Sequence, residues 1–125
     1  MNTPIQTSNA PAAVGPYSQG YKAGGFIYVS GQVPINPATS ELVKDDIKAA
    51  AQQSLDNCKA IIEEAGATLE DVIKVEIFLQ SMADFGQVNE IYAAFFGDHK
   101  PARACVEVAG LPLGATVEIQ MIAYK

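Results

Sequence analysis

Apolar and polar side chains alternate along this chain with two different periods, and each period marks a kind of element. From Phe26 to Gly31 the alternation is one by one: Phe26, Tyr28 and Ser30 fall on one face, Ile27, Val29 and Gly31 on the other. That is a strand. Residues 17–22 precede it across Ala23-Gly24-Gly25, and the glycine pair supplies the positive φ of a tight turn, so 17–22 and 26–33 are read as a β-hairpin. The Pro/Ala segment 9–15 is expected to lie extended on the surface, and the Asn-Pro pair marks 35–40 as a loop. The period then lengthens. After Asp45 and Asp46, which suit the positive end of a helix dipole, Ile47, Ala51, Leu55, Cys58, Ile61, Ile62 and Ala65 recur every three or four residues, and Gly66 ends the pattern. Residues 72–79 read as a strand with Val75, Ile77 and Leu79 on one side. A second helix is expected over 84–96, burying Phe85, Val88, Tyr92, Phe95 and Phe96 and stopping at Gly97, with strands over 102–108 and 116–124.

The order is therefore ββαβαββ, an α+β arrangement in one domain. The simplest packing lays both helices on one face of a single mixed sheet. No helix remains for the other face, so oligomerisation through that face is expected. Composition agrees: 125 residues make about one domain, and only 18% are charged against an average of about 25%.

Charge and segment patterns exclude several functions. Eight basic residues against 14 acidic ones leave a net charge of −6 and no basic patch, so no nucleic-acid partner is expected. The longest run of apolar side chains, 91–96, is far short of the ~20 residues that span a bilayer. Residues 1–7 lack the basic and apolar regions of a secretory signal. Cys58 and Cys105 do not make a disulfide framework, and a cytoplasmic setting with reduced thiols follows as the expectation. No metal site or cofactor motif is expected from one histidine, two distant cysteines and the lack of a glycine-rich phosphate loop.

A few residues could carry chemistry. Arg103, the only arginine, opens a strand between small neighbours in Pro101-Ala102-Arg103-Ala104-Cys105-Val106-Glu107-Val108. Its guanidinium can hold a carboxylate or phosphate through two parallel hydrogen bonds; the alternative is a surface or interface ion pair. Glu118 alternates with Val117 and Ile119 in the last strand and is a candidate general base, or else a solvent-facing strand residue; Glu107 competes for the same role. Gly31, in Ser30-Gly31-Gln32, suggests a bulge or a close approach of backbone to a ligand, or simply a strand end. Tyr17 could offer its hydroxyl to a pocket or merely pack, and Asn89 could be a plain helix-surface residue. A His99–Cys105 thiol dyad is weak, because nothing in the sequence orients the pair.

Taken together, Asn9-Ala10-Pro11, Gly15-Pro16-Tyr17-Ser18-Gln19, Val29-Ser30-Gly31-Gln32-Val33-Pro34, the 101–108 segment, Leu111-Pro112 and Val117-Glu118-Ile119 resemble the reactive intermediate deaminase family, also called Rid or YjgF/L-PSP. The resemblance covers residues 7–124. It implies a chorismate-mutase-like fold and a homotrimer in which three sheets form an inner barrel with clefts between subunits. It further implies cofactor-independent hydrolysis of 2-aminoacrylate and related 2-imino acids to 2-oxo acids and ammonia. By the same resemblance Arg103 is the carboxylate anchor, the main chain of Cys105 lines the cleft, and Glu118 helps to position water. Tyr17, Ser30, Gly31, Asn89 and Pro112 match cleft-lining positions. Three features depart from the common pattern: Gly110 in place of a larger residue, Gln120 in place of an acid, and a short 97–100 connection. A non-catalytic binder of small 2-oxo acids is the rival reading. An endoribonuclease or translation-inhibitor role, attached to some relatives, is opposed by the net charge of −6.

Overall fold

The computed structural model describes residues 2–125. Helix α1 (Ile47–Glu64) begins at Asp46, whose carboxylate accepts hydrogen bonds from the Lys48 and Ala49 backbone N–H groups at 3.1 and 3.2 Å. Two of the four unpaired donors of the first turn are thus satisfied. Its apolar stripe, including Ala51, Leu55, Cys58, Ile61 and Ile62, is fully buried. Helix α2 (Phe85–Phe96) follows a 3₁₀ turn at Met82–Asp84 and ends at Gly97, where φ is +64°. It buries Val88, Tyr92 and Phe96, while Phe85 and Phe95 are half-buried.

The strands are β1 (Thr3–Ile5), β2 (Gly20–Ala23), β3 (Phe26–Gln32), β4 (Val72–Leu79), β5 (Ala102–Glu107) and β6 (Val117–Tyr124). They form one mixed sheet in the order β1-β2-β3-β6-β4-β5. Only β4 and β5 run parallel, and β5 is an edge. Helix α1 packs on β3, β6 and α2. Beneath the helices lie Ile27, Val29, Val75, Ile77, Leu79, Val117, Ile119, Met121 and Ala123, all buried. The period-two pattern therefore assigns the core face correctly on β3, β4 and β6.

Two differences from the sequence reading lie near the N-terminus. Strand β1 was not expected: three residues with a central proline carry no alternation, and they sit on an edge, where proline is tolerated. Strand β2 starts at Gly20 rather than at 17. The Gln19 side chain, 3% exposed, accepts from the Thr7 N–H at 2.7 Å and donates to the carbonyls of Thr7, Ala10 and Pro11. This clamp makes the approach to β2 a fixed loop. It also buries Ala10, so the segment 9–15 is only partly a surface segment.

The second face of the sheet is uncovered in the chain. Phe26, Tyr28 and Tyr124 stand on it, 41%, 45% and 54% exposed, with Val106 alongside. Phe26 meets Tyr124 edge to face at 4.9 Å. Gln120 donates to Glu76 Oε1 at 2.7 Å across β6 and β4. An acid at position 120 would face Glu76 directly, so the glutamine departure turns a repulsion into a hydrogen bond.

Candidate active site

Arg103 lies second in β5, in register with Val75 of β4. Cross-strand partners share a face, so its side chain leaves the sheet on the helix side, beyond the edge, and meets α2. There Nη1 donates to Asn89 Oδ1 at 2.7 Å, and the guanidinium carbon stands 4.7 Å from the centre of the Tyr92 ring and 5.6 Å from that of Phe85. Phe85, Asn89 and Tyr92 recur at four- and three-residue intervals on one side of α2. Helix periodicity thus builds a seat for the cation, with two aromatic faces worth about 0.5–1 kcal/mol each. Arg103 forms no ion pair among the described residues, and its other N–H donors remain open. Sequence reasoning placed Tyr92 and Phe85 in the core and missed this second role. The spacing from 85 to 92 was visible, but core packing produces the same spacing.

Asn89 was expected to line a substrate cleft. Its carboxamide oxygen is engaged by Arg103, so its direct effect is to hold the guanidinium. Asn89, Tyr92, Phe96, His99, Lys100 and Arg103 share the walls of one cavity of about 400 Å³ between α2, the 97–101 connection and β5.

Cys105 lies two residues further along β5, half-buried against the core. Burial raises its thiol pKa, with the nearby Arg103 charge partly offsetting the rise, so the protonated form is favoured. Burial pushes the Cys58 thiol up much further. His99 does not serve Cys105. Its Nε2 is hydrogen-bonded to the Val72 carbonyl at 2.7 Å and its ring packs on Phe96, which makes it a strut for the 97–101 connection. No group of three or more His, Cys, Asp and Glu side chains suited to a metal occurs among the described residues.

Glu118 occupies different ground. It is in register with Phe78, and through it with Val106, so it stands on the uncovered face. It is half-buried, accepts no hydrogen bond among the described residues, and burial raises its carboxyl above the usual range. The β3–β6 register shifts between Val29 and Gln32, leaving Ser30 and Gly31 out of the ladder. The Glu118 carboxylate lies over Gly31 so closely that a Cβ there would overlap Oε2. Gly31 is thus both a bulge and a close approach, with a carboxylate as the approaching group. The Ser30 hydroxyl donates to the Ser18 carbonyl at 2.6 Å, next to Tyr17, whose ring is 52% exposed. Pro112 is exposed in the turn before β6, followed by Leu113 at φ +61°. Glu107, the competitor of Glu118, accepts from the Met82 N–H at 2.8 Å and so holds the turn before α2.

The candidate residues therefore fall into two groups. Arg103, Asn89 and Cys105 gather at the β5–α2 edge. Glu118, Gly31, Ser30 and Tyr17 gather around the bulge between β3 and β6, with Pro112 in the turn leading to β6. Arg103 and Glu118 project from opposite faces of the sheet, so one chain does not bring the two groups together.

Comparison with known proteins bears on both groups. Residues 7–125 match the family described as Endoribonuclease L-PSP. A RutC family protein of Pyrococcus horikoshii is 54% identical over 125 residues, covering 100% of this chain and 99% of its own. The 2-iminobutanoate/2-iminopropanoate deaminase of Escherichia coli K12 is 50% identical over 128 residues, with coverage of 100% and 99%. Among solved structures, Escherichia coli TdcF with bound serine superposes with a TM-score of 0.95 at 41% identity, covering 98% of each chain. The α+β fold, two helices on a mixed six-stranded sheet, is the chorismate-mutase-like fold that the resemblance implies. On a match that runs from the Gln19-clamped segment to the last residue, this chain belongs to the L-PSP family, the Rid or YjgF/L-PSP proteins.

Proposed function

We propose that this protein is an enamine/imine deaminase that hydrolyses 2-iminobutanoate, 2-iminopropanoate and the tautomeric 2-aminoacrylate to 2-oxo acids and ammonia. The observation that carries the reading is the seated, unpaired Arg103 guanidinium. Asn89 and the two rings hold it with N–H donors still open, so a planar carboxylate can dock without first breaking an ion pair. Relatives at about 50% identity with this activity support it, as does a solved relative that holds serine, a small 2-amino acid.

The proposed assembly is a homotrimer built on the uncovered sheet face. Covering a large apolar side chain contributes about 1.5–3 kcal/mol, and Phe26, Tyr28 and Tyr124 lie there to be covered. In that assembly the Arg103 edge of one subunit faces the Glu118 and Gly31 bulge of the next, and the cleft between them is the active site. The separation of the two groups within one chain supports a shared site. Tyr17, Ser30 and Pro112 form its rim, and the Cys105 main chain forms its wall.

In this mechanism Arg103 holds the substrate carboxylate and thereby fixes the adjacent C=N carbon. Glu118 accepts a proton from a water that attacks this carbon, and its raised pKa brings it nearer the pH of the reaction. The new C–O bond becomes the carbonyl of the product, and the nitrogen leaves, fully protonated, as ammonia. Water is the only co-reactant, so no cofactor is needed. Free imines already hydrolyse in water, and placing substrate and water together supplies the acceleration. The cytoplasm is the proposed setting, and no helix here is long and apolar enough to cross a membrane among the described residues. The test is Arg103→Ala in an assay that generates 2-iminobutanoate. Loss of roughly 10–100-fold in kcat/KM is expected from a charge-assisted contact, and undiminished acceleration would reject the anchor.

A further inference from the structure

The cavity beside Arg103 is larger than the smallest imino acids require, and its walls carry one sign of charge. One stripe of α2 supplies Asn89, Tyr92 and Phe96. Gly97, at φ +64°, turns the chain back, and His99, tied to the Val72 carbonyl, fixes the returning connection as the opposite wall. Arg103 contributes to the wall from β5, and Lys100 stands on the connection. The concavity is open to solvent and holds about 400 Å³. An ethyl or methyl side chain leaves most of it to water.

The charges are unusual for this chain. The sequence has 14 acidic and 8 basic residues, yet no acidic residue lines the cavity, while Arg103 and Lys100 do. The Lys100 ammonium has no ion-pair or hydrogen-bond partner among the described residues. The Tyr92 hydroxyl is buried without a hydrogen-bond partner, and burial favours its protonated, donor form. A molecule of net charge −6 repels anions at long range, so a dianion is held only by cations placed locally.

We propose that this cavity is the side-chain subsite of the deaminase, and that with Lys100 as its specificity-determining residue it favours 2-imino acids whose side chain ends in a second carboxylate. The proposal rests on the deaminase reading: Arg103 takes the first carboxylate, the C=N group faces the cleft, and the second carboxylate reaches Lys100. Lys100 stands at the end of the 97–100 connection, on the wall of this cavity.

Kinetics with imines generated in situ by an amino-acid oxidase test it, one from 2-aminobutanoate and one from glutamate, on the wild type, Lys100→Gln and Lys100→Arg. Lys100→Gln is expected to lose roughly two- to fivefold more kcat/KM on the glutamate-derived imine than on the other, through KM, and Lys100→Arg to recover most of the loss. Equal effects on both imines, or a wild type that turns over only the 2-aminobutanoate-derived imine, overturn the subsite and leave the deaminase reading standing. If neither imine is hydrolysed faster than in buffer, the deaminase reading fails. Equilibrium binding then decides the subsite: weaker 2-oxoglutarate binding by Lys100→Gln, with less change for 2-oxobutanoate, supports an anion site, and equal binding removes it.

Discussion

Glu118 and Cys105 show how burial acts in opposite chemical senses on a carboxyl and a thiol. Both side chains are half-buried and both have raised pKa values. For the thiol, the shift suppresses the reactive anion, so Cys105→Ser is expected to keep most of its activity in the imine assay. For the carboxyl, burial favours the protonated form and makes the carboxylate a stronger base than a free glutamate. The acid limb of kcat/KM should therefore lie above the ordinary value of 4.5, and Glu118→Gln should lose about 100-fold in rate together with that limb. The sign for stability is the opposite. A raised folded-state pKa means that folding is favoured most below the unfolded pKa and that this contribution is lost as pH rises through the folded pKa. The inactive Glu118→Gln protein should therefore gain in Tm relative to wild type as pH rises from about 4 towards 7. An equal Tm difference throughout that range would show that the carboxyl is not strained by burial.

Among the elements, the bulge on β3 does for Glu118 what α2 does for Arg103: it fixes where a side chain ends. Gly31→Ala places a Cβ against the Glu118 carboxylate, which must move aside. A displacement of about 1 Å can cost up to ~100-fold, so kcat should fall steeply in this variant while its circular-dichroism spectrum is kept. An active Gly31→Ala enzyme would mean that Glu118 is not the water-positioning base. The bulge could be suspected from the sequence, since a glycine after Phe26–Val29 breaks an otherwise regular strand, as could both helices and the inward faces of β3, β4 and β6. Pattern carried those because burial repeats along them. Strand β1 and the Gln19 clamp were not legible: a three-residue edge strand has no period, and the clamp joins residues eight to twelve positions apart through one side chain. The seat of Arg103 was half legible. Asn89 read as a plain helix-surface residue and gained a cleft role only through the resemblance, and whether it faces a ligand or the arginine depends on how β5 lies against α2, which no local pattern specifies.

At the scale of the whole molecule, the candidate catalytic groups lie on opposite faces of one sheet, and the chain is an enzyme by this reading only where a second copy completes it. In the proposed assembly a face bearing Phe26, Tyr28 and Tyr124 is the reason for association, and an anchor at one edge with a base on the open face would give that association a chemical consequence. Neither Arg103→Ala nor Glu118→Gln protein should hydrolyse 2-iminobutanoate well by itself. In every mixed trimer of the proposed assembly, however, one of three clefts would pair an intact Arg103 with an intact Glu118, and equal mixing would make about three trimers in four mixed. Imine hydrolysis by the two variants co-assembled in equal amounts is the direct measurement: recovery to about a quarter of the wild-type rate is expected, and a mixed trimer as inactive as its parents contradicts a site shared between subunits.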